Sequence, residues 1–389
     1  MSENSNIWEI DPTTKSWIVP PLTRRGALRA GAGAALGLTA LGALAACGGS
    51  DGASSASTAG SSAAAGLPGE GKTIALSLNG FNTYDQNTAE GVLKALEGTG
   101  YTLIGAEAGF DATKEVDNIK QLIARQPAGL IVLAASAEGA ARACLAAKDA
   151  GIPVFTQIWF PSTPEADSVY FGATALDEDA AGQMVIDFIV KDQGITSGNI
   201  IEVVGLDAQP FSEGYKAGLR KALEQYPDLK VVASQQGFYT ADGAIKVLKP
   251  MLTAHPDTNI ILDYAAEMGN AIAQELERQE RKDICHITSD GNAAMNEWLK
   301  KEDGAYLKAC RWFSPGSEGV AAVNAIRNKI EKNEDPTTEN IGVEGYTLDP
   351  GTADPVVIWS RQEIATAANI DSLPASGFPD FTDKIPVGG

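Results

Sequence analysis

Short apolar runs alternate with amphipathic stretches twice along this 389-residue chain, and that alternation limits its folds more than any other feature. Runs at 73–78, 101–106, 129–134 and 152–156 read as buried strands. The stretches between them, 85–97, 113–125 and 137–150, carry helical periodicity. Strand, helix, strand with short polar joints predicts an α/β layer, because parallel neighbours need a crossover and helices supply it. Gly151, followed by Ile152-Pro153-Val154, stops a helix and feeds the next strand. The pattern restarts with a helix at 177–190 and strands at 199–204, 230–234, 259–262, 283–288 and 305–310. Helices at 212–225, 241–254, 267–278, 293–300 and 317–332 fill the gaps. Two such sets predict two doubly wound parallel-sheet lobes, whose ligands sit beyond the carboxyl ends of the strands.

The first 46 residues read as a leader rather than as fold. A polar stretch ends at Thr23-Arg24-Arg25, residues 27–46 are apolar apart from Arg29, and Leu44-Ala45-Ala46-Cys47 closes the segment. A basic region, an apolar region and small residues before a cut site describe a secretory signal. Residues 30–46 fall short of the roughly 20 apolar residues that a spanning helix needs. Thr23-Arg24-Arg25-Gly26-Ala27-Leu28-Arg29 resembles a twin-arginine export signal, with Ala27 where a bulky apolar residue is usual. Leu-Ala-Ala-Cys resembles the bacterial lipobox, which implies that Cys47 is lipidated and becomes the new N-terminus. Residues 48–66 are Gly, Ala, Ser and Thr with one charge, Asp51, too little apolar surface to fold. They read as a flexible tether, so residues 47–71 are the lipidated cysteine and its linker.

Charge and residue usage exclude several functions. A net charge of −20 argues against nucleic acid, whose phosphates need a basic surface. Beyond Cys47 the cysteines are Cys144, Cys285 and Cys310, an odd and widely spaced trio that is no disulfide framework. With His255 and His286 as the only histidines, a zinc site or a Ser-His triad has almost nothing to draw on. No catalytic residue, metal or cofactor is therefore expected. Gly66-Leu67-Pro68-Gly69-Glu70-Gly71-Lys72-Thr73 satisfies the P-loop pattern, but it runs into a strand instead of following one and opening a helix.

The joints after the strands carry the chemistry. They read Asn79-Gly80-Phe81-Asn82-Thr83-Tyr84-Asp85, Gln157-Ile158-Trp159-Phe160, Asp207-Ala208-Gln209-Pro210-Phe211, Phe238-Tyr239, Asp263-Tyr264, Asp290-Gly291-Asn292 and Arg311-Trp312-Phe313. Any one ring is as well explained by the core as by a site. A ring beside a polar group at joint after joint is the recipe for a small-molecule cleft.

From residue 72 to about 332 the chain resembles the type I periplasmic binding proteins, in their ribose- and galactose-binding branch. The stretches that carry the resemblance are Gly151-Ile152-Pro153-Val154, Tyr170-Phe171-Gly172-Ala173, Leu252-Thr253-Ala254-His255-Pro256-Asp257, Glu267-Met268 and Ser289-Asp290-Gly291. The resemblance implies a ligand-gripping asparagine at Asn82, stacking rings at Tyr84 and Tyr239, and a late aspartate at Asp290. Phe81 belongs to the same first joint. Elsewhere the family's polar groups are replaced: a second stacking ring by Asp85, an Asp-Arg pair by Ile158-Trp159, and an asparagine by Ala265. An arginine falls near Glu213 and a glutamine near Arg311.

The implied architecture is two lobes, 72–173 with 313–342 and 174–312 with 343–360, joined near 173–174, at 311–312 and after 342. Residues 361–389 form a tail. The implied function is a monomeric, lipid-anchored, extracytoplasmic clamp that captures a sugar or polyol for an ABC permease and its ATPase, and catalyses nothing. An aromatic or amine-bearing ligand, or a sensing role with a chemoreceptor or kinase, stays open, because several sugar-gripping groups are replaced.

Overall fold

The computed structural model describes residues 7–19, 67–158, 169–207, 209–353, 355–374 and 377. The apolar leader segment, Cys47, the tether, Trp159 and most of the residues after 374 lie outside them.

The chain opens with a hairpin, β1 (Trp8–Asp11) and β2 (Ser16–Val19). The first βα series follows as β3 (Thr73–Leu78), α1 (Thr83–Leu96), β4 (Thr102–Glu107), α2 (Ala112–Ala124), β5 (Gly129–Val132), α3 (Ala137–Asp149), β6 (Val154–Thr156) and β7 (Tyr170–Ala175). The second runs α4 (Glu178–Asp187), β8 (Gly198–Val204), α5 (Pro210–Leu223), β9 (Leu229–Gln236), α6 (Ala241–Ala254), β10 (Thr258–Asp263), α7 (Ala266–Arg278), β11 (Cys285–Ser289), α8 (Ala293–Lys300) and β12 (Ala309–Trp312). Helix α9 (Pro315–Lys332) and strands β13 (Thr347–Ala353), β14 (Val356–Trp359) and β15 (Glu363–Ala365) complete the described elements.

Local chemistry starts the helices. Asp111, Ser136, Asp177, Thr240, Asn292 and Ser314 each accept a hydrogen bond from a backbone N–H in the first turn of the helix that follows. Residues 68–71 form turns that lead directly into β3, so the P-loop letters open no helix.

Two sheets result, β13-β14-β7-β6-β5-β3-β4-β1-β2 and β15-β12-β11-β10-β8-β9. Their central strands are parallel, as the alternation predicts. Each sheet is covered by helices, and an apolar cluster containing Ile74, Leu76, Ile131, Ile200, Val203, Ile261 and Ile287 runs through both lobes.

Three expectations need correction. The sequence places residues 343–360 in the second lobe, but β14 lies parallel to β7 in the first sheet, Val356 opposite Gly172 and Trp359 opposite Ala175. The apolar Val357 and Ile358 are buried there, covering an edge that β7 would otherwise leave open. The third crossover therefore lies at 360–362, where the Ser360 N–H donates to the Ala175 carbonyl, and not just after Gly342. Part of the tail is also folded, since β15 pairs antiparallel with β12 in the second lobe. Finally, residues 7–19 stand outside the fold in the sequence reading, yet β1 pairs with β4 and extends the first sheet.

Candidate functional site

The carboxyl ends of the strands in the two sheets face one another, and a cavity of about 30 Å³ lies between them. The first lobe lines it with Asn82, Tyr84, Phe110 and Ile158, the second with Gln209, Phe211, Tyr239, Tyr264, Ala265 and Asp290, and the hinge with Phe313. Six of these eleven side chains are aromatic, and no lysine or arginine is among them.

Four lining residues, Phe110, Ile158, Tyr239 and Asp290, have φ between 52° and 65°. Left-handed backbone is uncommon outside glycine and is an outlier at a β-branched residue such as Ile158. Its concentration at the cleft turns these side chains off the strand ends and into the cavity. Backbone held this way marks positions that the surroundings over-determine, as at binding sites.

Asn82 and Asp85 form a reciprocal cap at the start of α1. The Asn82 side chain accepts from the Asp85 N–H at 3.1 Å, and the Asp85 carboxylate accepts from the Asn82 N–H at 3.2 Å. Burial pushes the Asp85 carboxyl up to about 7 against those hydrogen bonds, with Glu267 adding to the rise. Asp85 thus fixes the loop that presents Asn82 and does not itself reach the cavity. One residue on, Glu267 of α7 reaches across from the second lobe and accepts from the Thr83 N–H at 2.7 Å and from the Thr83 hydroxyl. A second bridge is the stacking of Phe110 on Tyr239, with centroids 5.6 Å apart. The lobes are closed on the cleft.

Around the cavity, Tyr84 donates its hydroxyl to Glu318 and Tyr239 donates to Gln209. Asp290 is buried at the end of β11, and its Oδ1 meets no hydrogen-bond partner among the described residues. Burial holds its carboxyl well above the usual range, and the charges of Glu267 and Glu318 push the same way. The Tyr264 hydroxyl, at the end of the neighbouring strand β10, is also buried and has no hydrogen-bond partner among the described residues. These are polar groups held ready for something that fills the cavity.

Of the residues expected at the site, Asn82, Tyr84, Tyr239, Ala265 and Asp290 line it. Arg311 stands one layer behind. Its guanidinium is fully buried 4.3 Å from the Tyr215 ring centroid and about 5.5 Å from those of Phe211 and Phe313. It pairs with Glu178 at 2.7 Å and donates to Gln362. It therefore locks the hinge to the second lobe and supports two of the lining rings. Glu213 is half-exposed on α5 and faces Lys216, away from the cleft. Phe81 is half-buried against the core beside the cavity. Trp159 lies outside the described residues.

Phe110, Phe211, Tyr264, Phe313, Gln209 and Ile158 were not singled out as site residues. All but Phe110 belong to strand-end joints already recognised as rich in rings. Phe110 sits in the equivalent joint after β4, Ala108-Gly109-Phe110-Asp111, which the same criterion would have included.

Two α/β lobes joined by three crossovers and closed over a ring-lined cavity define a clamp that binds a small solute. Comparison places that clamp in a family. The periplasmic binding protein domain family matches residues 49–334, and the chain belongs to it. The chain is 25% identical to the D-apiose import binding protein of Paraburkholderia graminis over 225 residues, 58% of this chain and 70% of the relative. It is likewise 25% identical to the ribose import binding protein of Escherichia coli over 230 residues, 58% of this chain and 76% of the relative. Among solved structures, the binding protein of the arabinose ABC transporter from Shewanella, bound to L-arabinofuranose, superposes with a TM-score of 0.67 at 20% identity. That match covers 77% of this chain and 94% of the other. Proteins of this family are extracytoplasmic solute-binding components of ABC transporters and are not enzymes.

Proposed function

We propose that the cleft binds a neutral sugar or polyol and delivers it to the permease of an ABC importer driven by its ATPase. The observation that carries this is the closed cavity, in which flat rings alternate with Asn82, Gln209, Tyr264 and Asp290. Rings supply apolar contact to the faces of a sugar, and a few oriented polar groups fix its hydroxyls. The import functions named for the two relatives support the same ligand class. In this reading Cys47 carries the lipid, the twin-arginine-like leader directs export, and the tether holds a monomeric body away from the membrane.

One observation favours a second reading. Asp290 lies within the field of Glu267, Glu318 and Asp85, and no cation among the described residues lines the cavity. An amine-bearing ligand would meet both that carboxylate and the surrounding ring faces. A sensing role would use the same binding step and differ only in the partner.

A thermal-shift panel of pentoses, hexoses, polyols and amines decides between the ligands. A ligand at 100 times its Kd stabilises by about 2.7 kcal/mol, a readily measured shift. Stabilisation by a neutral sugar or polyol is the expected result. Stabilisation by amines alone would replace the first reading with the second.

A further inference from the structure

Residues 7–19 precede the apolar export segment, yet they are built into the first lobe. Strand β1 pairs antiparallel with the edge strand β4, Trp8 opposite Gly105, Glu9 opposite Ile104 and Ile10 opposite Leu103. Trp8 and Ile10 are buried in one apolar cluster with Leu93, Leu96 and Leu103, and Ile7 in the other with Ile104 and Ile119. The strand thus contributes to both faces of the sheet, as side chains on successive residues must. The seat is shaped for its occupant: a Cβ on Gly105 would collide with the indole of Trp8.

The hairpin also has its own turn chemistry. The Asp11 carboxylate accepts from the Thr13 N–H at 2.8 Å and the Thr14 N–H at 3.2 Å, and Pro12 fixes the first turn position. Two further bonds tie it to the lobe, from the Gly98 N–H to the Thr13 hydroxyl and from the Thr102 hydroxyl to Glu9. Without β1, the outer edge of β4 would present a row of unpaired backbone groups, a ready template for another strand.

Chain order gives this arrangement a consequence. Residues 27–46 lie between the hairpin and the body. If they enter a membrane during export, the hairpin remains on one side while the body passes to the other. Cleavage before Cys47 then cuts the covalent link. A docked hairpin and an exported, processed body therefore exclude one another.

We propose that the β4 edge of the first lobe is a strand-acceptor site, occupied in the unexported precursor by the chain's own residues 7–19 and vacated on export. The occupant it selects is an extended segment with a large ring over Gly105 and an aliphatic side chain two residues further on. The second half of this proposal rests on reading Cys47 as the processing point.

Hydrogen–deuterium exchange tests both halves. In the full-length precursor carrying Cys47→Ala, the segment 102–107 should be protected, and adding Trp8→Ala should speed its exchange by at least about 100-fold. The second-lobe strands β8 and β10 serve as the control that the variant is folded. In processed protein extracted from membranes, the same segment should exchange rapidly. A synthetic peptide of residues 5–20 should restore protection, and the same peptide with Trp8→Ala should not. Equal protection of β4 with and without Trp8 overturns docking. Intact mass separates the two readings. If the exported protein still carries residues 1–46, export does not vacate the site, whereas the Trp8 dependence in the precursor reports docking regardless.

Discussion

Substituting Glu267 tests how much of the closed state depends on one interlobe clasp. Its Oε1 accepts from the Thr83 N–H at 2.7 Å and from the Thr83 hydroxyl, and both bonds exist only when the lobes meet. A hydrogen bond to a charged group contributes about 1.5–3 kcal/mol, and in the open state water recovers part of it. Glu267→Ala should therefore weaken the closed state by about 2–3 kcal/mol, which raises the Kd of a cleft ligand roughly 30- to 150-fold. A second effect opposes this, because Glu267 also repels the carboxylates of Asp290 and Asp85. Glu267→Gln separates the two: it keeps an oxygen for Thr83 and removes the charge, so its Kd should stay within about fivefold of wild type, given that neutral hydrogen bonds retain about 1 kcal/mol. Titration calorimetry with the most stabilising sugar reads both variants. Binding by Glu267→Ala within twofold of wild type would refute the clasp. Equal weakening by both variants would show that the charge, and not the hydrogen bonds, matters.

Arg311→Ala should cost about 3–5 kcal/mol in urea unfolding, because it leaves Glu178 buried without its partner and removes support from Phe211 and Phe313; a loss below about 1 kcal/mol contradicts that role. The pH dependence of stability follows from buried carboxyls. Burial raises Asp85, Glu115, Glu178 and Glu318 each to about 7. In the unfolded chain such groups titrate near 4, so the folded state binds more protons between about 4 and 7, and stability falls as pH rises through that window. Glu275, held at about 2 by its hydrogen bond to Arg278, loses its stabilisation only as pH falls below the unfolded value. The melting temperature should thus be higher at pH 5.5 than at pH 8, and the reverse order would count against the buried set. Incorporation of labelled fatty acid into the protein should be lost in Cys47→Ala; label retained in that variant would refute lipidation at this cysteine.

Much of the fold was legible because the central strands are continuous apolar runs ended by polar joints. Strands β3 to β6 and β8 to β11 fall within about three residues of their expected bounds. Strand β12 begins later than expected, at Ala309 rather than 305, because Ala305, Tyr306 and Leu307 are buried without pairing. Burial and strand pairing give the same local signal and only the sheet separates them. Strands β14 and β15 were missed because short edge additions are fixed by distant partners, β7 and β12, that no local pattern reveals. The hairpin at 7–19 did carry a signal, Trp8-Glu9-Ile10 followed by Asp11-Pro12, but it sits in what otherwise reads as an export leader. At the site, ring-bearing joints were recognisable as a class. Which side chain enters the cavity depends on left-handed backbone at Phe110, Ile158, Tyr239 and Asp290, and residue type does not announce that outside glycine.

The central claim is that the two lobes close on a sugar or polyol held among the cleft rings, and calorimetry on Tyr239→Ala tests it most directly. Tyr239 lines the cavity, stacks on Phe110 across the cleft and holds Gln209. Truncating a ring in a desolvated site costs about 1–3 kcal/mol. Titrated with the most stabilising neutral sugar or polyol, the variant should bind about 5- to 150-fold more weakly than wild type at unchanged stoichiometry. Wild-type affinity in that variant would place the ligand outside this cleft and contradict the account.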